Sequence, residues 1–468
     1  MADSALAQTS SNDQPRDGGS HPSDAEPAPI LFAAVDDGAA DRAIEEAHRR
    51  YVEKRPESAR QAEAAAKVLP AGSTRSVLDF DPFPFRVASA AGARLTDVDG
   101  HRYVDFLGDY TAGLLGHNPP EVARAIAGVV ERGWSLGAVA DGEHRLAELL
   151  CQRFPSIEQI RFTNSGTEAN LMAISLARHQ TGRDRVLVFD GAYHGGLLYF
   201  GPAATAIQAP YDYVRCRYND IDSVAEAMAE HGADIACVLI EPMMGAGGCI
   251  PADTDFLARL RTVCSEHGVV LIFDEVMTSR MSTGGAQQLL GVVPDMTTLG
   301  KYLGGGMTFG AFGGPAEMMA AFDPKRGGTL THGGTFNNNA MTMSAGAAAV
   351  EQMLDATSLD DLFRRGDDLR TRLNESTGAL GISATGWGSL MALHAASGPI
   401  AGPRDLVGSD PRVVELLFHA LLERGFYMAR RGFIALSLAI TADDIDRFLV
   451  ALNDSVEDLV DGGILLTP

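Results

Sequence analysis

"GVVLIFDEV", residues 268–276, is a run of five consecutive apolar residues that ends on two carboxylates. The run is too short for a helix, rich in branched side chains, and without polar alternation, so it reads as a strand buried on both faces of a mostly parallel sheet. "RVLVFD" (185–190) and "IACVLIEP" (235–242) have the same make-up and alternate with helical patterns from about residue 95 onward. The predicted class is therefore α/β, with a large domain whose sheet is covered by helices. Beyond about residue 346 the pattern changes to helix, strand, helix. There "RRGFIALSLAI" (430–440) reads as a strand and "TADDIDRFLVALNDSVEDLV" (441–460) as a capped helix, which predicts a second, smaller α/β domain.

Ligands of open parallel sheets bind outside the carboxyl ends of the strands, so the polar residues after each run are read together. Asp274 leaves the core at a strand tip. It could hold a heterocyclic nitrogen protonated, form a structural ion pair, or bind a metal; no His pair at helical spacing and no HExxH occurs, which disfavours the metal. "VLVF" runs into Tyr193 and His194, an aromatic that could stack on a planar ring and an imidazole beside it. In "RFTNSGTEANLMAISLARHQTG" (161–182) a short strand turns through Ser165, Gly166 and Thr167 into a helix. Such a turn offers backbone N–H groups, hydroxyls and the positive dipole end to an anion such as phosphate, and it is equally an ordinary N-cap.

Lys301, in "TTLGKYLGGG" (297–306), is the only Asp, Glu, Lys or Arg between Asp295 and Glu317. Of the chain's four lysines, Lys54, Lys67 and Lys325 lie in polar surroundings. An ammonium among apolar neighbours loses its proton more readily and becomes a nucleophile, the condition for Schiff-base chemistry. A lysine whose head snorkels to water would occupy the same window. A P-loop is excluded, because Tyr302 follows the lysine where Ser or Thr is needed.

The 468 residues carry a formal charge of −23, which argues against nucleic acid or an anionic membrane surface as partner. No apolar run approaches the ~20 residues that span a bilayer. Five cysteines without CxxC spacing suggest neither a zinc site nor a disulfide framework, and a cytoplasmic location is expected. Residues 1–41 are acidic and rich in Ser, Pro and Gly, so a disordered extension is expected there. A helical pattern then runs from residue 41 to Pro70 and Gly72.

A phosphate cradle, a stacking tyrosine, a carboxylate for a ring nitrogen and an isolated lysine together describe a site for pyridoxal 5'-phosphate. The order "NSGTEAN", "DGAYHGG", "IEP", "LIFDEV", "TTLGKYLGGG" and "GGTFNNNAMTMSAG" resembles the class III, fold-type I aminotransferases from about residue 42 to the C-terminus. Within them, "GSTRSVLDFDPFPF", "DEVMTSR", "GGGMTFGAFGG" and "TFNNNAMTM" are similar to the β-phenylalanine (β-amino acid) type, in the branch that also holds the glutamate-1-semialdehyde aminomutases. The stretch "SLGAVADGEHRLAELL" (135–150) departs from that type.

The resemblance implies a PLP-dependent transaminase that moves an amino group from an apolar or aromatic β-amino acid to a 2-oxo acid such as 2-oxoglutarate or pyruvate. Intramolecular transfer of the aminomutase kind is the alternative, and a PLP-binding protein without turnover a further one. It implies Lys301 as the Schiff-base lysine and proton carrier, Asp274 on the pyridine nitrogen, and Tyr193 and Val276 on the two ring faces. Ser165, Gly166 and Thr167 would bind phosphate, Thr335 would reach the phosphate of a partner subunit in a homodimer, and Arg75 and Arg431 would hold substrate carboxylates. Glu168, Glu241 and His194 would support them. The implied domains are a large one over 96–345 and a small one built from 42–95 and 346–468.

Overall fold

The computed structural model describes residues 29–201 and 207–467. At its centre is a seven-stranded sheet in the order Gln159–Thr163, Gly310–Gly314, Met296–Gly300, Val270–Asp274, Ile235–Ile240, Arg185–Phe189, Tyr213–Cys216. All neighbours are parallel except Gly310–Gly314, which runs antiparallel to both strands beside it. Every residue of Ile235–Ile240 and Val270–Asp274 is buried, as continuous apolar runs require when helices cover both faces of a sheet. Helix Gly166–Thr181 turns Ala169, Ala173, Ile174, Leu176 and Ala177 into the core that this sheet shares with helix Thr254–His267.

A second core joins the two ends of the chain. It lies under the antiparallel sheet of Ser383–Trp387, Leu390–His394 and Phe433–Ala435 and the helices Ala356–Thr377, Pro411–Glu423 and Ala442–Asp461. The last of these starts with a capping box between Thr441 and Asp444, as its sequence predicts. The strand expected over 430–440 is shorter, because the chain leaves the ladder after Ala435 and Leu436 N–H turns to the Ser389 carbonyl.

The boundary expected at residue 96 cuts through a strand. Val87–Ala91, Arg94–Asp97 and Arg102–Asp105 form one sheet with Phe426–Tyr427, so the chain as far as Asp105 is tied to the C-terminal part by non-local pairing. The helical pattern after residue 41 is two helices, Asp37–Lys54 and Pro56–Ala66, since Pro56 cannot donate to the first of them.

The disordered extension expected over 1–41 falls mostly on residues 1–28, outside the described ones. Order begins earlier than expected: Leu31–Phe32 pairs with Ala396–Ser397, and the Asp36 carboxylate caps the next helix at Ala39 N–H. Backbone pairing and the cap hold the chain there, with the Leu31 and Phe32 side chains still exposed. No described helix is long and apolar enough to cross a membrane.

Candidate active site

The six parallel strands end on the same side of the sheet, and five of them deliver the residues described next. Lys301 follows Met296–Gly300, with φ of +57° that turns its side chain out of the strand direction. It is half-buried, with its amine deep enough that burial lowers its pKa to about 8. The charges of Asp274 and Glu241 oppose that shift and the Arg280 guanidinium adds to it. Burial thus brings the neutral form of this amine closer to neutral pH than that of an ordinary surface lysine. Arg280 is fully buried: Nη2 donates to the Leu436 carbonyl, while Nε and Nη1 find no partner among the described residues.

Asp274 is buried at the tip of its strand and held by three donors. Asn170 Nδ2 (2.9 Å) and His194 Nδ1 (2.8 Å) meet Oδ2, and Val276 N–H (3.0 Å) meets Oδ1. Asn170 is itself fixed, accepting from Thr298 Oγ1 at 2.7 Å and donating to the His194 carbonyl. Asp274 therefore cannot swing, yet Oδ1 keeps capacity for one more donor. His194 Nε2 is buried without a partner.

Glu241, at the end of Ile235–Ile240, accepts Tyr193 N–H and Gly245 N–H, each at 3.0 Å. Burial raises its pKa to about 7. This carboxyl holds the backbone of Tyr193, whose ring remains 45% exposed at the sheet edge and edge-on to Tyr199.

Ser165 is the N-cap of helix Gly166–Thr181, its Oγ accepting Glu168 N–H while the Glu168 carboxylate takes Asn164 N–H. The ordinary N-cap is thus observed, and it leaves room for the anion reading, because the first N–H groups of the helix have no intrahelical acceptor. Three glycines make room here. A Cβ on Gly166 would stand 2.8 Å from Val276 Cγ2, one on Gly300 3.0 Å from Val276 Cγ1, and one on Gly195, at φ +117°, would overlap Thr167 Oγ1. Thr335 lies away from this pocket, in an exposed loop tied to it through Asn337, whose Oδ1 accepts from Asn164 Nδ2.

Arg75 and Arg431, far apart in sequence, flank one ring. Their guanidinium carbons stand 5.9 and 5.6 Å from the Tyr110 centroid, and Arg75 Nη1 also donates to Asp109 Oδ1 at 2.6 Å. Tyr110 stacks on Phe433 and donates its hydroxyl to the Val77 carbonyl. It sits within four consecutive left-handed residues, Gly108 to Thr111, a backbone that only the surrounding packing can hold. Burial raises the Tyr193 pKa, and the charges of Arg431 and Arg75 oppose that shift.

Tyr110, Asn170, Thr298 and Arg280 were not singled out by sequence reasoning. Asn170 had a signal, a polar side chain on the apolar face of its helix.

The family "Aminotransferase class-III" matches residues 78–456. The chain is 48% identical over 420 residues to a beta-phenylalanine transaminase of Variovorax paradoxus, covering 89% of this chain and 96% of that protein. It is 38% identical to a glutamate-1-semialdehyde 2,1-aminomutase of Methanothermobacter thermautotrophicus, covering 84% and 97%. The crystal structure of a beta-phenylalanine aminotransferase from Variovorax paradoxus superimposes with a TM-score of 0.89 at 47% identity, covering 90% of this chain and 98% of that one.

Proposed function

The chain belongs to the class-III aminotransferases, and from that premise we propose that it moves the amino group of a β-amino acid with an apolar or aromatic side chain to a 2-oxo acid such as 2-oxoglutarate or pyruvate. The observation that carries the reading is the pair of arginines on Tyr110, two guanidiniums brought together from opposite ends of the chain that can each meet a carboxylate. The likeness to a beta-phenylalanine transaminase gives the donor class.

The cofactor is pyridoxal 5'-phosphate, and the pocket fits it. Glycines at 166, 300 and 195 let Val276 and Thr167 sit close against the backbone, helix Gly166–Thr181 begins among them with N–H groups that lack intrahelical acceptors, and Asp274 is a fixed carboxylate with a free acceptor position. When bound, the cofactor supplies a ring that withdraws the electron pair left as the substrate C–H bond breaks.

We assign Ser165, Gly166 and Thr167 to the phosphate, Val276 and Tyr193 to the ring faces, and Asp274 to the ring nitrogen. His194 and Asn170 keep Asp274 aimed. Lys301 Nζ would be the group that holds the cofactor's aldehyde carbon and, when free, would carry the proton from the amine-bearing carbon, a role worth roughly 10²- to 10⁴-fold. Thr335 would serve the phosphate site of a second copy, so the working unit is read as a homodimer, and its compartment as the cytoplasm.

Borohydride reduction of the purified holoprotein should fix the cofactor to the peptide containing Lys301, and a donor screen against 2-oxoglutarate and pyruvate should find 3-amino acids best. Labelling elsewhere overturns the lysine assignment. Conversion of glutamate-1-semialdehyde to 5-aminolevulinate without an acceptor moves the protein to the aminomutase reading, and labelled protein without any turnover would make it a binding protein.

A further inference from the structure

Helix Asp37–Lys54 packs on helix Pro411–Glu423, and at their contact two imidazoles and a carboxylate converge. Glu415 and His419 are one turn apart on the same helix face. His48 comes from the other helix, its Nε2 3.3 Å from Glu415 Oε1 and its ring edge-on to His419 at 5.1 Å. One nitrogen of each histidine and one oxygen of Glu415 lie within 4.8 Å of one another, the one such trio among the described residues.

Two further observations point to a ligand. His419 Nε2 is buried without a hydrogen-bond partner, an unfavourable state for a polar atom unless something fills it. The second oxygen of Glu415 accepts from Arg430 Nη1 at 3.0 Å, the kind of outer hydrogen bond that orients a ligating carboxylate. The side chains of His48 and Glu415 are 25% and 14% exposed, which leaves an approach from solvent and room for water to complete the coordination.

We propose that His48, Glu415 and His419 bind one zinc-like dication that staples the N-terminal helix to helix Pro411–Glu423. Two imidazoles and one carboxylate suit zinc and its transition-metal neighbours. Calcium or magnesium would find a single carboxylate oxygen, with the Arg430 guanidinium beside it. None of the three residues belongs to the proposed catalytic machinery, so the ion's role is structural. The site is hidden in the sequence because His48 lies 367 residues from Glu415.

The test uses full-length holoprotein stripped of metal by chelator and dialysis, then titrated with zinc against a chromophoric chelator. Thermal unfolding and the cobalt(II) visible spectrum are recorded in parallel. We expect one zinc per chain, a raised unfolding temperature and a four-coordinate cobalt spectrum. Affinity should fall at least ~100-fold in His48→Ala and Glu415→Gln, because removing even an outer-shell partner costs 10- to 100-fold. Transaminase turnover should be retained in both, which certifies the fold; their side chains are partly exposed, so neither depends on rebuilding the core. Zinc bound as tightly in both variants as in the wild type, or no zinc bound below millimolar concentrations, overturns the proposal.

Discussion

His194 Nδ1 donates to Asp274 Oδ2 across 2.8 Å in a place closed to solvent, and with Asn170 it fixes the carboxylate that closes the Val270–Asp274 strand. In the proposed reaction that carboxylate matters most when negative charge develops on the ring. Asp274→Asn should therefore keep the cofactor and lose kcat by about 10²- to 10³-fold, the usual cost of one preorganised electrostatic partner. Stopped-flow measurement of the first half-reaction checks it; a near-normal rate would remove Asp274 from the ring nitrogen.

Lys301 should be costly to stability. Its pKa falls from 10.5 to about 8 on folding, mainly by burial. Between about pH 8 and 10.5 the unfolded chain holds a proton that the folded chain has lost, so stability rises with pH across this window and carries the full penalty below it. That penalty is about 3 kcal/mol. Cofactor-free Lys301→Met should unfold at a higher temperature than the cofactor-free wild type at pH 7, with the gap closing above pH 10. A gap independent of pH would mean that burial of the charge is not its cause.

Gly195→Ala tests the phosphate end. The new methyl group would overlap Thr167 Oγ1, at a φ of +117° that an L side chain rarely adopts. Strain and overpacking should cost about 1–3 kcal/mol. If Thr167 moves to relieve them, the cofactor dissociates faster while pure-protein secondary structure stays unchanged. Dialysis with absorbance readout measures this, and unaltered cofactor retention would separate Thr167 from the phosphate.

What the sequence made legible follows from where information is local. Asp274 closes a buried strand, Lys301 directly follows one, and Ser165 stands two residues after a third strand, so reading the strands located the residues. The fixing of Asp274 by Asn170, and of Asn170 by Thr298, depends on how a helix rolls against the sheet, which periodicity does not encode. The run of left-handed residues at Gly108–Thr111 shows the same limit. Only the glycine announces such a conformation in sequence, whereas Asp109, Tyr110 and Thr111 are forced into it by packing. Residue 96, expected as a boundary, lies within a strand for a related reason, since the pairing of Arg102–Asp105 with Phe426–Tyr427 spans most of the chain.

The two arginines on Tyr110 allow the sharpest test of substrate choice. A β-amino acid carries its amine one carbon further from its carboxylate than the α-oxo acid carries its carbonyl, and both must present the reacting carbon to the same cofactor. One fixed guanidinium cannot serve both distances, whereas one anchored and one released guanidinium can. Arg75 is the anchored one, tied to Asp109 at 2.6 Å and resting on Tyr110. Arg431 is exposed and, with no ion pair among the described residues, lies against the rings of Tyr110 and Phe433, contacts that are easily exchanged for a carboxylate. Arg75→Ala should weaken both half-reactions. Arg431→Ala should weaken mainly the oxo-acid half, by about 10- to 100-fold, which corresponds to a charge-assisted hydrogen bond of roughly 1.5–3 kcal/mol. Tyr110→Leu should imitate Arg431→Ala in part, since it removes the ring on which that guanidinium parks. Single-turnover rates with donor alone, and with acceptor added to the aminated enzyme, separate the halves; equal losses in both for Arg431→Ala would defeat the two-arginine division.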